Sequence, residues 1–385
     1  MYNILTLNSL QNILEKNFSS DYKLSPDCID PHAILVRSDK ILEPQKYKNL
    51  LAIARAGTGV NNINIKKCSE LGIPVFNTPG ANSNAVKELV ILSFLLASRN
   101  IIDSINWVKA LKDKENLNLL IEKEKKQFKG CEIQNKKLGI IGLGSIGTLV
   151  ANAACSLNMK VFAFDPFISL KSAWNVCRLV KKLDSLEDLF SSCDYISIHV
   201  PLNSKTKNMI DKKLLSIAKD NAKIFNFSRS EVVNSNDIIE AIKFKKISNY
   251  VTDFPHPDFL KFNQIISIPH LGASTFESEN NCASAAAQQI SQYLEFGNIK
   301  NSINFPDTNL IKTTSSRICI LSKNIPNVIS NVLNIISSLN LNIENMQSNS
   351  KKDFAYSIID INNFLDQKTL DLLSNCEGII KVRLI

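Results

Sequence analysis

The run Lys137-Leu-Gly-Ile-Ile-Gly-Leu-Gly-Ser-Ile-Gly147 constrains the fold more than any other, because it joins an apolar strand to a helix through three glycines, Gly142, Gly144 and Gly147. Each glycine at this G-x-G-x-x-G spacing has its own physical reason. The first permits a tight turn, the second lets a pyrophosphate approach the backbone, and the third lets the new helix press against the strand. The free amides and positive end of that helix, opening at Ser145 and Ile146, then face the phosphates. Alone, the pattern suits many NAD and flavin proteins. Here a second apolar strand, Met159-Lys-Val-Phe-Ala-Phe-Asp165, ends in an acid and completes a βαβ unit. The Asp165 carboxylate would accept hydrogen bonds from the adenosine ribose and repel a 2′-phosphate, which predicts NAD over NADP. The competing account is a glycine turn in an ordinary α/β core, with Asp165 capping a loop.

At 385 residues the chain exceeds what one core usually serves, so two or three domains are expected. With 44% hydrophobic and 21% charged residues, it has the balance of a soluble globular protein. Every apolar run falls short of a bilayer, which predicts no membrane partner. The N-terminal Met1-Tyr-Asn-Ile-Leu-Thr-Leu carries neither a secretory nor an organellar pattern, so a cytoplasmic location is expected. The nine cysteines never form C-x-x-C pairs, which predicts reduced structural thiols and no metal site. A net charge of +9 raises nucleic acid as a partner, but the lysines are interleaved with acids, as in Lys123-Glu-Lys-Lys-Gln127. That is a solvated surface, compatible with small anionic ligands and without a nucleic-acid stripe.

Residues 1–98 alternate short apolar strands (Ala33–Val36, Leu51–Ala54, Val75–Phe76) with helical segments such as 62–71, and read as a small flavodoxin-like α/β unit. Residues 84–98 are apolar on most faces and predict a buried linking helix. From about 103 to 136 the chain reads as a charged loop. A parallel-sheet pattern then places strands near 138–143, 160–164, 194–199, 223–227, 247–252 and 265–268, the six strands of a Rossmann sheet. A helix over 275–296 follows, then a strand-turn and linker to Pro306. Residues 315–385 show the order βαββαβ of a ferredoxin-like unit. The predicted division is a discontinuous substrate-binding domain (1–98 and 275–304), an inserted nucleotide-binding domain (99–274) and a C-terminal unit (315–385).

Four polar clusters fall at strand ends, where open α/β sheets bind ligands. They are Arg55-Ala-Gly-Thr-Gly-Val-Asn61, Asn77-Thr-Pro-Gly-Ala-Asn-Ser-Asn84, Phe225-Asn-Phe-Ser-Arg-Ser-Glu231 and Ile268-Pro-His-Leu-Gly-Ala-Ser-Thr275. With the glycine motif, these resemble the D-2-hydroxyacid dehydrogenases over nearly the whole chain, and the C-terminal unit resembles an ACT regulatory domain. Hydride transfer needs a base for the hydroxyl proton and a cation for the carboxylate. The resemblance implies His270 as the base and Arg229 as the cation, whose planar fork suits a carboxylate. It carries Arg37, Ser38, Thr58, Gly59 and Asn82 onto the substrate, Arg37 toward a phosphate end. It carries Thr58, Phe227, Ser228, Arg229, Asp253, His270, Leu271, Gly272 and Ala273 onto the cofactor, Asp253 toward the nicotinamide carboxamide. The implied partner is a small anionic 2-hydroxy acid, in a homo-oligomer of two or four chains. Bland alternatives stay open: Arg229 pairing with Glu231, Arg37 as a surface cation, Asp253 as a strand-end turn former. His32 and His256 read as surface residues and His199 as packing.

The chain also departs from the family. A glutamate usually pairs with the catalytic histidine, but here Asp253-Phe-Pro-His-Pro-Asp258 offers no match, leaving Asp258 or another group as orienter. The gap gives room to a non-catalytic NAD-sensing scaffold, which the retained His270 and Arg229 argue against. Ser230 stands where the family has glycine after the arginine. In the C-terminal unit Asn324, Pro326 and Asn342 match a serine-sensing pattern whose histidine and glycine are missing. An amino-acid effector and a purely structural or oligomerising role are both open there.

Overall fold

Short apolar runs bounded by turns build three sheets in the computed structural model, which describes residues 1–8, 10, 14–112, 114–314, 316–363 and 365–385. Ser315, where the C-terminal unit begins in the sequence reading, lies outside the described residues. The first sheet is parallel, with strands β1 (Tyr2–Thr6), β2 (Tyr22–Ser25), β3 (Ala33–Val36), β4 (Ala52–Arg55) and β5 (Val75–Phe76). Its order, β2-β1-β3-β4-β5, is the flavodoxin-like one. Strands β3 and β4 are buried along their apolar lengths, as expected for a parallel sheet covered on both faces.

The second sheet is also parallel. Its strands are β6 (Lys137–Ile141), β7 (Lys160–Phe164), β8 (Lys181–Lys182), β9 (Tyr195–Ile198), β10 (Ala222–Asn226), β11 (Ile247–Thr252) and β12 (Ile265–Ser267). The order β12-β11-β10-β9-β6-β7-β8 is the doubly wound arrangement, with its switch point between β6 and β9. Seven strands replace the expected six, because β8 is two exposed lysines at the sheet edge, too short and too polar to show periodicity. The helix Ser83–Arg99 packs Val86, Val90, Phe94 and Ala97 into this sheet's core beside Leu138, Ile140 and Phe225. Its opposite face leaves Leu92 and Leu95 exposed, so it is buried on one side rather than all round.

The charged loop expected over 103–136 is corrected by two helices, Ile101–Ala110 and Leu117–Glu124, and a 3-10 turn, Lys125–Phe128. Their lysines and glutamates are good helix formers, and Ile101, Ile105 and Val108 recur at helical spacing. Contacts divide the chain into two units, Met1–Asn82 with Glu279–Ile385, and Ser83–Ser278. The sequence division after Ser98 therefore differs by the length of the helix Ser83–Arg99, whose apolar stripe is packed in the second unit.

The third sheet is antiparallel. It comprises β13 (Ser316–Lys323), β14 (Ile343–Lys351), β15 (Phe354–Ile361) and β16 (Ile379–Leu384) in the order β14-β15-β13-β16, with helices Val328–Ser338 and Gln367–Ser374. One core joins it to the first sheet: Cys319, Leu321, Tyr356 and Ile358 cluster with Phe76, Ile290 and Tyr293. Tyr356 donates its hydroxyl to the Gly297 carbonyl at 2.6 Å. Arg317, fully buried, forks onto Asp360 at 2.6 and 2.8 Å and donates its remaining nitrogen to the Phe296 and Leu310 carbonyls. Arg383 lies 4.5 Å over the Tyr293 ring and reaches the Tyr293 and Leu294 carbonyls. Two cations of the third sheet thus meet the negative end of the helix Phe276–Phe296. Asp360→Ala would strand the Arg317 charge at a cost of about 3–5 kcal/mol. Urea unfolding should show the midpoint of this unit falling accordingly; an unchanged midpoint would contradict the clamp.

Candidate active site

Strand β6 ends at Ile141 and the chain turns at Gly142, whose φ of +92° excludes most side chains. A β-carbon there would lie 2.7 Å from the His199 carbonyl oxygen. The third glycine is tighter still: a β-carbon at Gly147 would sit 2.0 Å from the Gly142 oxygen. At Gly144 nothing comes within 4 Å, so the space beside the backbone is open where a pyrophosphate would approach. Ser145, Ile146 and Gly147 form the first turn of the helix Ser145–Ser156, which has no side-chain cap on its free amides. Thr148 instead braces the loop by donating to the Leu143 carbonyl at 3.0 Å. These residues fit a dinucleotide.

Asp165 follows β7 as expected, and its oxygens accept from the amides of Leu143 (2.7 Å) and Phe167 (2.8 Å). It therefore shapes the glycine loop as well as presenting a carboxylate beside it. His199 meets Ser197 through Nε2 at 2.8 Å, and burial pushes its pKa down to about 3, so its imidazole is neutral. That agrees with packing rather than proton transfer.

Strands β10, β11 and β12 are neighbours, and Arg229, Asp253 and His270 follow their carboxyl ends in turn. Arg229 is half-buried, and Nη1 donates to the Ser228 carbonyl at 2.6 Å. Its pairing with Glu231 does not form: Glu231 accepts from the Ser230 hydroxyl at 2.7 Å, which holds its carboxyl below the usual range. Ser230 opens a 3-10 turn and takes no positive φ, so the missing glycine is not needed. The loop's organiser is a residue the sequence reading passed over. Asn226, fully buried, accepts from the Ser228 amide and hydroxyl and donates to the Arg229 carbonyl at 2.9 Å. Its only signal was an amide side chain at the end of an apolar strand. Phe227 is buried beneath this loop.

The side chain of His270 is 63% exposed, and Nε2 lies 4.0 Å from Asp253 Oδ2. The Phe254 ring meets the imidazole edge-on at 5.0 Å. Asp253 is 1% exposed, and neither carboxylate oxygen has a hydrogen-bond partner. Burial raises its pKa; His270, the Gly272 amide and Arg229 pull the other way without completing a bond. Asp258 is not the orienter: it pairs with Lys261 at 2.5 Å and lies 3.8 Å from His256. Proline at 255 and 257 frames this exposed turn, whereas Asp253 stands directly on the strand end. Gly272 is buried, and a β-carbon there would come 3.2 Å from Asp253 Oδ2. Leu271 is exposed and Ala273 half-buried.

The expected substrate contacts Arg37, Ser38, Thr58, Gly59 and Asn82 all belong to the other unit. There Thr58 and Asn82 meet through Oγ1 and Oδ1 at 3.3 Å, with Gly59 adjacent. The amides of Arg37 and Ser38 donate to Asn8 Oδ1 at 3.0 and 2.9 Å. The Arg37 guanidinium is held by Glu279 at 2.6 Å, so it is not a free cation awaiting a phosphate. In the C-terminal unit, Asn324 donates to the Lys352 carbonyl and Asn342 to Glu344, so both amides carried over from the serine-sensing pattern are engaged internally. No helix among the described residues is long and apolar enough to cross a membrane.

Residues 91–272 match the family model described as D-isomer specific 2-hydroxyacid dehydrogenase, NAD binding domain. D-3-phosphoglycerate dehydrogenase 1 of Saccharomyces cerevisiae is 30% identical over 388 residues, covering 92% of this chain and 79% of the yeast protein. The Synechocystis protein of that name is 35% identical over 284 residues, covering 71% of this chain and 49% of its own length. The chain thus spans about half of some relatives and most of others. Among solved structures, NAD+-bound 3-phosphoglycerate dehydrogenase of Entamoeba histolytica superposes with a TM-score of 0.62 at 27% identity, over 79% of this chain and 98% of that one.

Two expectations follow from this geometry. Gly147→Ala forces the helix off the Gly142 carbonyl at a cost of about 1–3 kcal/mol, about 5- to 150-fold in NAD affinity where the loss falls on the bound form. Calorimetric titration with NAD reads it, and undiminished affinity would contradict the contact. Asp253 is raised above its ordinary value of 3.8, so the folded protein keeps a proton the unfolded chain has released, and stability falls as pH rises through the folded value. Asp253→Asn should therefore raise the Tm at neutral pH and change it little at acid pH. A lowered Tm at neutral pH would contradict the burial penalty.

Proposed function

The chain belongs to the D-isomer specific 2-hydroxyacid dehydrogenases, and from that premise we propose that it oxidises D-3-phosphoglycerate to 3-phosphohydroxypyruvate with NAD, opening L-serine biosynthesis. The observation that carries the reading is the succession of Arg229, Asp253 and His270 on three adjacent strand ends, with the imidazole 4.0 Å from the buried carboxylate. The names of the yeast and Synechocystis relatives support this choice of substrate.

His270 takes the C2 hydroxyl proton, and its exposed ring leaves room for substrate on the side away from Asp253. Asp253 stands in for the family's glutamate by favouring the protonated imidazole as it forms, and its unpaired oxygens can also orient a carboxamide. Arg229 holds the carboxylate and polarises the C2 oxygen through its remaining donors. Bound NAD supplies the hydride acceptor. Ser145, Ile146 and Gly147 present amides to its pyrophosphate, and Asp165 faces its ribose. Thr58, Gly59 and Asn82 position the substrate. Arg37 reaches a phosphate only by exchanging Glu279 for it.

We further read the C-terminal βαββαβ unit as an ACT-type regulatory domain, and the protein as a cytoplasmic homo-oligomer. The deciding assay follows NADH absorbance with D-3-phosphoglycerate, D-glycerate, phosphoerythronate and D-lactate, run with and without L-serine. The phosphorylated three-carbon acid should be preferred, and His270→Ala should lose about 10²- to 10⁴-fold in kcat/KM. Preference for another acid transfers the reading to that substrate. Activity on none favours an NAD-sensing scaffold. Inhibition by serine marks the C-terminal unit as a sensor, and an unchanged rate assigns it to structure or assembly.

A further inference from the structure

Behind the strand ends that carry Arg229 and Asp253 lies a buried polar chain on one face of the nucleotide sheet. Asn226 ends β10 and stands level with Thr252 of β11, and Tyr250 is two residues before Thr252 on the same strand. Register partners and alternate residues share a face, so the three side chains lie on the same side. All are buried, and Tyr250 belongs to the apolar cluster of Ile224, Phe259 and Ile265. In such surroundings polar groups are costly unless they satisfy one another.

Asn226 Nδ2 donates to the Arg229 carbonyl at 2.9 Å and to the Tyr250 hydroxyl at 3.4 Å. The same hydroxyl is hydrogen-bonded to the Thr252 side chain. Thr252 Oγ1 in turn accepts from the Phe254 amide at 3.2 Å, and the Thr252 carbonyl accepts from the Ile268 amide at 3.0 Å, two residues before His270. The Phe254 ring then meets His270 edge-on at 5.0 Å. One phenol therefore touches two branches: the arginine loop through Asn226, and the strand end beside His270 through Thr252. Its ring is fixed separately, by the Phe259 ring edge-on at 5.5 Å. Burial pushes the Tyr250 pKa up to about 12, so the hydroxyl keeps its proton and serves to orient rather than to transfer.

We propose that Tyr250 is a positioning residue whose hydroxyl, seated between Asn226 and Thr252, couples the Arg229 loop to the Asp253–Phe254 strand end and so holds the cation and the base in fixed relation. The effect on turnover rests on the roles proposed above for Arg229 and His270; the link between the two segments does not.

Hydrogen–deuterium exchange of the full chain, read by mass spectrometry, tests the link without turnover. Tyr250→Phe keeps the ring and removes only the hydroxyl. Exchange should rise severalfold both in residues 227–231 and in residues 252–254, while the glycine loop at 142–147 exchanges as in the native chain. Thr252→Val keeps the side-chain shape and should also loosen 227–231, whereas Thr252→Ser should keep native exchange there. A rise in only one segment or in neither overturns the link, and so does a rise shared equally by the glycine loop, which marks general loosening. In the NADH assay each hydroxyl-deleting variant should lower kcat by about 2- to 12-fold, the worth of one buried hydrogen bond, with affinity for ADP-ribose unchanged. The double variant should be no slower than the slower single one, because both break the same chain. Unchanged kcat in both single variants of an active enzyme overturns the positioning role. If the native chain turns over none of the acids, the proposed function fails, and the exchange rates still decide the link.

Discussion

The contact between Gly147 and the carbonyl of Gly142 governs the geometry of the nucleotide site. Because no side chain intervenes, the helix Ser145–Ser156 starts directly against the end of β6, and a β-carbon in that space would come within 2.0 Å of an oxygen. The first-turn amides are thereby aimed past the strand end rather than along the sheet face. Leu143 is drawn to Asp165, which links the phosphate turn to the ribose end of the site in one hydrogen bond. His199, whose carbonyl closes on Gly142, is fixed by the same packing. At the other strand ends the constraint is electrostatic. An enclosed carboxylate with no donor, Asp253, is kept beside the exposed imidazole of His270.

The glycines were legible because this chain uses so few. It has 12 in 385 residues, and among the described residues ten asparagines take the positive-φ positions where glycine is the usual choice. Three glycines within six positions therefore cannot be the drift of composition. The strands were legible for a similar reason: each buried parallel strand is an apolar run closed by a turn. The helices Ile101–Ala110 and Leu117–Glu124 were missed because their lysines and asparagines resembled loop sequence, and their aliphatics remain partly exposed rather than forming a deep stripe.

Within the site, residue identity was more legible than residue partnership. His270, Arg229 and Asp253 follow the strand ends that their neighbouring sequence indicated. Their pairings depended on geometry that spacing does not encode. Asp258 is closer in chain to His256 and Lys261 and pairs there, while Asp253 reaches His270 across adjacent strands. The resemblance carried Arg37 toward a phosphate, yet Glu279, 242 residues further on, holds it. Asn226 gave almost no sequence signal, although it ties both sides of the arginine loop together. The C-terminal unit shows the same limit. Its order of elements along the chain was legible, but its shared core with the first sheet and the Arg317 and Arg383 contacts at the end of the long helix were not.

These contacts put the C-terminal sheet and the residues around Thr58 in one unit, while Arg229, Asp253 and His270, proposed above for hydride chemistry, follow strand ends of the nucleotide sheet. The most direct test of that chemistry uses D-3-phosphoglycerate carrying deuterium at C2, incubated with the full chain and NAD, with the reduced cofactor examined by mass spectrometry. Direct hydride transfer puts deuterium in the nicotinamide ring of the product, and none when His270→Ala is used in place of the native chain over the same interval. Unlabelled NADH, or label released to solvent, would contradict direct transfer from C2.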